Sequence, residues 1–297
     1  SSRVVALVEV CPCVAARVIG MARFQSLLVE KHPNGLDVLT LNRPERMNAI
    51  SMPMCQELTD YFAGLLHDYK TRVVIMRGAG KGFCGGLDLL QQSDLTPKDG
   101  EAAGEVDPSE NEVSKTLKGQ RQLVEMFRKM RAAPQPIIAM VHGAACGAGF
   151  GLALAADIRL VTPQAKFNVA MFKMGTTGGD MSISYFLPRL CGNSVASELM
   201  LTGRFLHGER AVQTRLASEL YPTLEEMEKG ARQLAEEMLA GEHNGLRLTK
   251  ECLNLAIDSP SFEAAVALED RQQVLMVVGG DWKKRIGNFS GKSKSKL

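Results

Sequence analysis

The chain has 297 residues, of which 45% are hydrophobic and 23% charged, a balance that is ordinary for a globular protein with a sizeable core. The formal net charge is only +2, so no overall positive field favours a nucleic-acid partner. No apolar run reaches the ~18 residues of a membrane span. The seven cysteines are scattered, which indicates reduced thiols in an intracellular compartment, and neither they nor the histidines fall at the spacing of metal ligands.

The first half of the chain alternates between strand and helix patterns. Residues 1–20 are apolar with two arginines, which favours a transit peptide or an extension outside the fold. Residues 24–42 predict two strands joined by a turn at 33–35. A helix is predicted over 53–67 and a buried strand over 73–76.

The second half continues this alternation after a polar, acidic segment. That segment, 94–117, predicts a flexible loop or lid. A helix over 118–131 leads to a strand that begins at Ile137. The further predicted elements are strands over 159–161 and 167–171, a helix over 180–190 and a mainly helical region from 224. The order indicates an α/β protein with a helical C-terminal part.

Two turns of small residues, 80–86 and 143–149, each connect a predicted strand to the start of a helical segment. Such a turn leaves backbone N–H groups unpaired at the positive end of a helix dipole, where a ligand can reach them. Two convergent N–H groups about 3 Å from a carbonyl oxygen form an oxyanion hole. For a single turn there is an equally good alternative: small residues are also needed where a helix packs closely against a strand.

Several motifs carry a resemblance to a known family. They are NRPERMNAIS from Asn42, GKGFCGGLDL ending at Leu89, PIIAMVHGAACGAGFGLALAADIRL from Pro136, and LPRLCG followed by LTGR. Together they resemble the crotonase (enoyl-CoA hydratase/isomerase) superfamily over roughly 24–285. The resemblance implies a crotonase-like ββα spiral core at 21–223, a helical trimerisation region at 224–290 and a flexible tail at 291–297. It also implies a homotrimer or a hexamer.

The resemblance further implies an acyl-CoA thioester substrate, with coenzyme A as part of the substrate and no separate cofactor. The motif positions assign the oxyanion donors to the backbone N–H groups of Leu87 and Ala148. The candidates for the CoA phosphates are Arg43, Arg46, Lys283 and Lys284, although ordinary solvated charge explains each of them singly as well. The expected substrate-binding residues are Arg46, Gly85, Gly86, Asp88, Leu89, Gly147, Phe150, Gly151, Met171, Phe172, Lys283 and Lys284.

The chain departs from the family at its two usual acids. Hydratases of the superfamily use two glutamates because water is added across a double bond by positioned acid–base groups. The corresponding positions here are Gly151 and Met171, and neither side chain can transfer a proton. Hydration by a glutamate pair is therefore not expected.

Asp180 lies eight residues before Pro188, the offset at which related dienoyl-CoA isomerases carry a proton-shuttling aspartate and related dehalogenases a nucleophile. An apolar pocket bounded by Met171, Phe172 and Phe150 would strengthen this carboxylate as a base. The alternative is that Asp180 is only the N-cap of the following helix.

One carboxylate suffices to move a double bond, so the resemblance and its departures favour isomerisation of an unsaturated fatty acyl-CoA with Asp180 as base and acid. Three alternatives stay open. They are hydration by an acid from the loop 94–117, hydrolysis or dehalogenation with Asp180 as nucleophile, and a non-catalytic acyl-CoA-binding or scaffold protein.

The last three residues, Ser295-Lys296-Leu297, have the form of a peroxisomal import signal. A receptor reads this signal when it is exposed at the C-terminus, and the polar residues before it suit a flexible docking tail. The sequence therefore predicts import into a peroxisome or a peroxisome-type organelle by the corresponding receptor.

Overall fold

The computed structural model describes residues 20–89, 111–259 and 261–279. Within them, the strands are β1 (Gly20–Arg23), β2 (Leu27–Lys31), β3 (Leu36–Leu41), β4 (Val73–Gly78), β5 (Ile137–Val141), β6 (Ala144–Cys146), β7 (Ile158–Val161), β8 (Lys166–Asn168), β9 (Leu206–His207) and β10 (Glu219–Leu220). The helices are α1 (Met52–Leu65), α2 (Glu112–Ala132), α3 (Ala148–Ala155), α4 (Ala170–Lys173), α5 (Ile183–Thr202), α6 (Gly208–Gln213), α7 (Leu224–Leu239), α8 (His243–Asp258) and α9 (Phe262–Val278).

The larger sheet has the strand order β1-β2-β3-β4-β5-β7-β10. Strand β2 is antiparallel to both of its neighbours, β1 and β3, whereas β3, β4, β5, β7 and β10 are parallel to one another. Every residue of β5 is buried, as expected for a parallel strand that is covered on both faces. Because parallel strands end at one edge of a sheet, the loops after β3, β4 and β5 emerge side by side.

A smaller sheet, β6-β8-β9, begins where the chain turns after β5. The main core lies between the sheets and the helices α1, α2 and α3, and includes Phe62, Phe127 and Phe150. A second core cluster on the opposite face of the larger sheet packs against α7 through Met227 and Ala231. In the described part of the chain, no helix is both long and apolar enough to cross a membrane.

Three predicted elements differ from the structure. Residues 112–117, expected in a loop, belong to α2, because the side chain of Asn111 accepts a hydrogen bond from the Ser114 N–H at 2.9 Å and starts the helix there. The remainder of the predicted loop, 94–110, lies outside the described residues. The predicted strand 167–171 ends at Asn168 and is followed by α4, because its apolar run fits strand and helix alike.

The predicted helix 180–190 begins later and runs further than expected. It corresponds to α5, which spans Ile183–Thr202 and bends at Gly192 (φ 79°). The strand β1 begins at Gly20, the last residue of the predicted N-terminal extension, and pairs antiparallel with β2. The other predicted strands and helices of the described part are present with boundaries shifted by a few residues.

Candidate active site

The candidate site lies at the edge of the larger sheet where β3, β4 and β5 end. The loops that follow these strands pair with one another through isolated parallel bridges, which join Ile50 to Leu87 and Cys84 to Ala145. The Cys84 N–H donates to the Ala144 carbonyl at 2.8 Å, and the Cys146 N–H donates to the Cys84 carbonyl at 3.0 Å. The two small-residue turns recognised in the sequence therefore lie side by side.

Asn48, which is not among the predicted site residues, fixes the first loop to the second. It is fully buried in a left-handed conformation (φ 55°). Its side-chain amide donates to the carbonyls of Ala79, Gly82 and Phe83 at 2.8, 2.9 and 3.2 Å, while its Oδ1 accepts from the Arg43 N–H at 2.9 Å. One sequence feature could have identified it: asparagine tolerates a positive φ, and this one lies in a turn between a strand and a helix.

Glycines allow the two turns to touch through their backbones. A Cβ on Gly149 would lie 2.3 Å from the carbonyl oxygen of Cys84. Gly86 has φ +105°, and a Cβ there would lie 2.8 Å from the carbonyl oxygen of Cys146 and 3.8 Å from the nitrogen of Ala148. Only glycine permits both the approach and the conformation at position 86.

The two predicted donors lie at this contact. The bridge to Ile50 uses the N–H of Asp88 and the carbonyl of Gly86, so the N–H of Leu87 has no acceptor among the described residues. Ala148 is the first residue of α3. The hydrogen bond that begins this helix runs from the Gly151 N–H to the Gly147 carbonyl. The N–H of Ala148 is therefore one of the unpaired groups of a helix N-terminus. The arrangement suits an oxygen that gains negative charge; the donor assignments themselves stay predictions.

Helix α3 is held at its opposite end by Arg159. All residues of α3 are buried. The Arg159 guanidinium donates to the carbonyls of Ala156, Ala153 and Leu154 at 2.7, 3.3 and 3.5 Å, and burial lowers its pKa to about 10. A positive charge at the carbonyl end stabilises the helix dipole and fixes the direction in which the amide end points.

Asp180 lies in the turn that precedes α5 and is half-buried. Its Oδ1 accepts hydrogen bonds from the side-chain amide of Gln120 at 2.5 Å and from the Met181 N–H at 2.7 Å. The N-cap of α5 is Ser182, and this cap makes no side-chain hydrogen bond. The carboxylate of Asp180 does not cap the helix, so the capping alternative is wrong.

The two positions where the resemblance expects glutamates have different surroundings. Gly151 is buried in α3, and a Cβ there would lie 2.6 Å from the Met181 carbonyl oxygen and 3.0 Å from the Phe127 ring. Met171 lies in α4, half-buried against the core. The segment that carries Asp180 thus contacts the helix position from which an acid is missing.

The predicted apolar contacts separate into buried and exposed groups. Phe150 is fully buried and packs against Phe167 with the ring centroids 5.3 Å apart, so it belongs to the core beneath the site. Phe172 and Leu89 are 40% and 47% exposed, and both can contact a ligand. Gly147 is buried at the turn into α3, and Gly85 is exposed beside Met47, whose carbonyl accepts its N–H at 2.8 Å.

The predicted charged contacts form an ion pair within the protein. Asp88 is buried and accepts from Arg43 at 2.8 Å and from Arg46 at 3.1 Å. Burial alone would raise the pKa of Asp88, but the hydrogen bonds from the two arginines hold it below its ordinary value. Arg46 remains 39% exposed and can reach an outside anion, whereas Arg43 is mostly covered. Lys283 and Lys284 lie outside the described residues.

Two thiols and one imidazole near the turns have local structural partners. Burial raises the pKa of the Cys84 thiol to about 12, and its Sγ lies 3.2 Å from the Asn48 carbonyl. Burial also raises the pKa of Cys146. His142 Nε2 is 3.0 Å from the Gly80 carbonyl, and burial lowers its pKa. Neutral thiols are poor nucleophiles, so the geometry does not suggest cysteine chemistry.

Comparison with known proteins agrees with this architecture. The sequence profile of the Enoyl-CoA hydratase/isomerase family matches residues 31–296. The "probable enoyl-CoA hydratase echA12" of Mycobacterium bovis is 35% identical over 89% of this chain and 90% of its own length. The "1,2-epoxyphenylacetyl-CoA isomerase" of Escherichia coli is 30% identical over 87% of this chain and 93% of its own.

A solved structure gives the same result for the fold. The crystal structure of a "probable enoyl-CoA hydratase/isomerase" from Mycobacterium abscessus superposes with a TM-score of 0.74 at 31% identity. It covers 86% of this chain and 91% of the other. The parallel sheet, the paired turns and the sequence match agree: the chain has the crotonase fold and belongs to the enoyl-CoA hydratase/isomerase family.

Proposed function

We propose that the protein shifts a double bond in an unsaturated fatty acyl-CoA, with Asp180 as the group that removes and returns the proton. The observation that carries this proposal is the contact between the segment of Asp180 and Gly151. The Asp180 carboxylate accepts a hydrogen bond from the N–H of Met181, whose carbonyl faces Gly151, so this segment offers an acid beside α3 where Gly151 and Met171 supply none. A relative whose name describes an acyl-CoA isomerase, 30% identical over most of both chains, supports isomerisation of an acyl-CoA in the broad sense, since its named substrate is an epoxide.

The proposed reaction uses one base and two donors. Asp180 takes the α- or γ-proton of the enoyl thioester, and the electrons of that C–H bond move towards the carbonyl. The oxygen gains negative charge, which the N–H groups of Leu87 and Ala148 stabilise as hydrogen-bond donors. Asp180 then returns the proton to another carbon of the dienolate, so the double bond moves and no atom is gained or lost.

The test compares the wild-type protein with Asp180→Asn on 3-enoyl-, 3,5-dienoyl- and 2-enoyl-CoA. Asparagine keeps the shape of the side chain but cannot exchange the proton. We therefore expect the rate of isomerisation to fall by about 10²- to 10⁴-fold. The rate is measured from the change in ultraviolet absorbance of the conjugated thioester. Asp60→Asn, an exposed change on α1, is the control and should retain full activity.

Each competing function has its own result. Loss of 2-enoyl absorbance without isomerisation of the other substrates would establish a hydratase. Release of a free CoA thiol would establish a hydrolase. Tight binding of acyl-CoA without any turnover would establish a binding protein, and full isomerase activity in Asp180→Asn would reject the assigned base.

We also propose that the chain assembles as a homotrimer, or as a hexamer made of two trimers, through its C-terminal helices. The support is the apolar surface of α9. In this helix Phe262, Val274, Leu275 and Val278 are each at least 60% exposed, and only Gln272 is buried among the described side chains. An exposed surface of this kind is typical of an association site.

For localisation, we propose import into a peroxisome-type organelle through Ser295-Lys296-Leu297. The support is the sequence of the C-terminal tripeptide alone. Removing these three residues from a fluorescent fusion should leave the protein in the cytosol. Unchanged import of the shortened fusion would reject the proposal.

A further inference from the structure

The carboxylate of Asp180 is held on one side only. Both of its hydrogen bonds, from the Gln120 amide at 2.5 Å and from the Met181 N–H at 2.7 Å, end on Oδ1. Among the described residues, nothing donates to Oδ2. A carboxylate whose two oxygens differ in this way has one oxygen that fixes its orientation and one that is available to a substrate.

Gln120 reaches Asp180 from a helix that is firmly packed. Gln120, Leu123, Phe127 and Met130 recur at intervals of three and four residues and share one face of α2. The last three are buried in the main core. Gln120 is thus the polar end of a stripe that is otherwise apolar, and the packing below it limits the movement of its amide.

The turn that presents Asp180 is fixed from the other side. Met181 and Ser182 both have left-handed backbone conformations, with φ 51° and 63°, which are uncommon for residues other than glycine. Met181 is buried, and its carbonyl lies against Gly151 in α3. Such conformations persist only where the surrounding structure determines them, and they concentrate at functional sites.

We propose that Gln120 is a positioning residue for the reaction, which holds Asp180 Oδ1 together with the Met181 N–H so that Oδ2 is the oxygen that carries the proton. This inference rests on the proposed function of Asp180. Two donors on Oδ1 fix the plane of the carboxylate and leave Oδ2 free of a donor within the described protein. They also prevent the carboxylate from turning, so the same oxygen that takes the proton can return it.

The role makes a prediction about Gln120→Leu. Leucine fills the space but donates no hydrogen bond, so the neutral carboxyl form becomes easier to reach. We expect the acid limb of the kcat/KM profile to move up by about one pH unit, which is about a tenfold loss of kcat/KM on that limb. KM should change less than twofold, because Gln120 acts through Asp180. Gln120→Glu places a second carboxylate there and should move the limb further in the same direction.

The experiment records these profiles with the full-length protein and a 3-enoyl-CoA substrate. Gln122→Leu is the matched control, because Gln122 lies on the same helix with an exposed side chain, and its profile should coincide with that of the wild type. A shift in Gln120→Leu and not in Gln122→Leu supports the inference. Coincident profiles for wild type and Gln120→Leu overturn it, and circular dichroism of each variant verifies the fold.

A measurement that needs no activity separates the two proposals. The protein is labelled with ¹³Cγ-aspartate and studied by NMR. The resonance that disappears in Asp180→Asn belongs to the Asp180 carboxyl, and its chemical shift is followed against pH. If the protein turns over none of the substrates, the proposed function fails. The inference about Gln120 is then judged by this resonance alone: titration at higher pH in Gln120→Leu supports the contact, and unchanged titration rejects it. If Asp180→Asn is inactive and Gln120→Leu behaves as wild type in both measurements, only the inference about Gln120 fails.

Discussion

At the scale of single residues, the absence of a side chain at Gly151 shapes the candidate site. The Met181 carbonyl occupies the volume next to its Cα. A glutamate at position 151 would therefore clash with the turn around Asp180 in its present conformation. This exclusion explains in steric terms why the departure at Gly151 accompanies an aspartate on the neighbouring segment.

Gly151→Glu should consequently fail to create a hydratase. Its Cβ would lie 2.6 Å from the Met181 carbonyl, so either the Asp180 turn or α3 must move. We expect isomerase activity to fall and stability to drop by about 1–3 kcal/mol, the usual cost of overpacking. Urea unfolding and the three acyl-CoA assays measure both effects.

A glycine with free space provides the control for this substitution. A Cβ on Gly64 in α1 would meet nothing within 4 Å. Gly64→Ala should keep full activity and gain up to about 1 kcal/mol, because alanine suits a helix interior better than glycine. A fully active and stable Gly151→Glu would contradict the steric argument.

At the scale of elements, the loops after β3 and β4 behave as one unit. Asn48 donates to three carbonyls of the second loop, and Asp88 of the second loop pairs with Arg43 and Arg46 of the first. The position of the Leu87 N–H therefore depends on hydrogen bonds and ion pairs between residues that are about 40 positions apart.

The Asp88 ion pairs predict a pH-dependent contribution to stability. Because the pKa of Asp88 is lower in the folded protein, the unfolded chain binds more protons at acid pH. The contribution is complete above about pH 5, where the unfolded carboxyl is ionised, and is lost as the pH falls through the lower folded pKa. Asp88→Asn should cost about 1–2 kcal/mol at pH 7, and this difference should shrink towards pH 3.

The measurement is the free energy of unfolding in urea across this pH range. Asp60→Asn, whose carboxylate is exposed and bonded to Gln56, should follow the wild-type curve. A difference between Asp88→Asn and the wild type that stays constant with pH would show that the ionised carboxylate is not the source of the stabilisation.

Elements whose signals are local could be predicted from the sequence, and contacts between distant residues could not. The strand β5 and the helix that begins at Ala148 follow from neighbouring apolar and small residues, and the structure confirms both, but the predicted turn between them contains the short strand β6. The start of α2 was missed although Asn111 is a suitable N-cap, because the acidic composition of the segment outweighed it. The bond between Gln120 and Asp180 joins residues 60 positions apart, and no periodicity or motif links them.

At the scale of the whole molecule, the C-terminal helices α8 and α9 expose several large apolar side chains to solvent. Leu253 and Ile257 are 62% and 41% exposed and lie on α8, the helix that packs against α9. Helix α8 is itself fixed to the core by the buried Lys250, which bonds to Asp157 and to the Gln135 carbonyl at 2.8 Å each. Its exposed side is therefore presented on a rigid support.

If these helices form the proposed trimer, Leu275→Glu should dissociate it. A charge in an apolar contact must be desolvated without a partner, which costs several kcal/mol. We expect a monomer by light scattering coupled to size-exclusion chromatography. Val113→Glu, at a position of α2 that is even more exposed, should leave the mass unchanged. A wild-type protein that elutes as a monomer would reject the proposed assembly.

The contact between Gly151 and Met181 also restricts the substitutions by which this site could evolve, in nature or by directed evolution. A glutamate at position 151 is disfavoured while the Asp180 turn keeps its present path, and shortening that turn first would remove the only acid that the proposal assigns. Each single step thus lowers activity, although the two together could exchange one chemistry for the other. Substitutions at the two places should be strongly non-additive, so a library that varies them jointly is the route by which a hydratase could be selected from this chain.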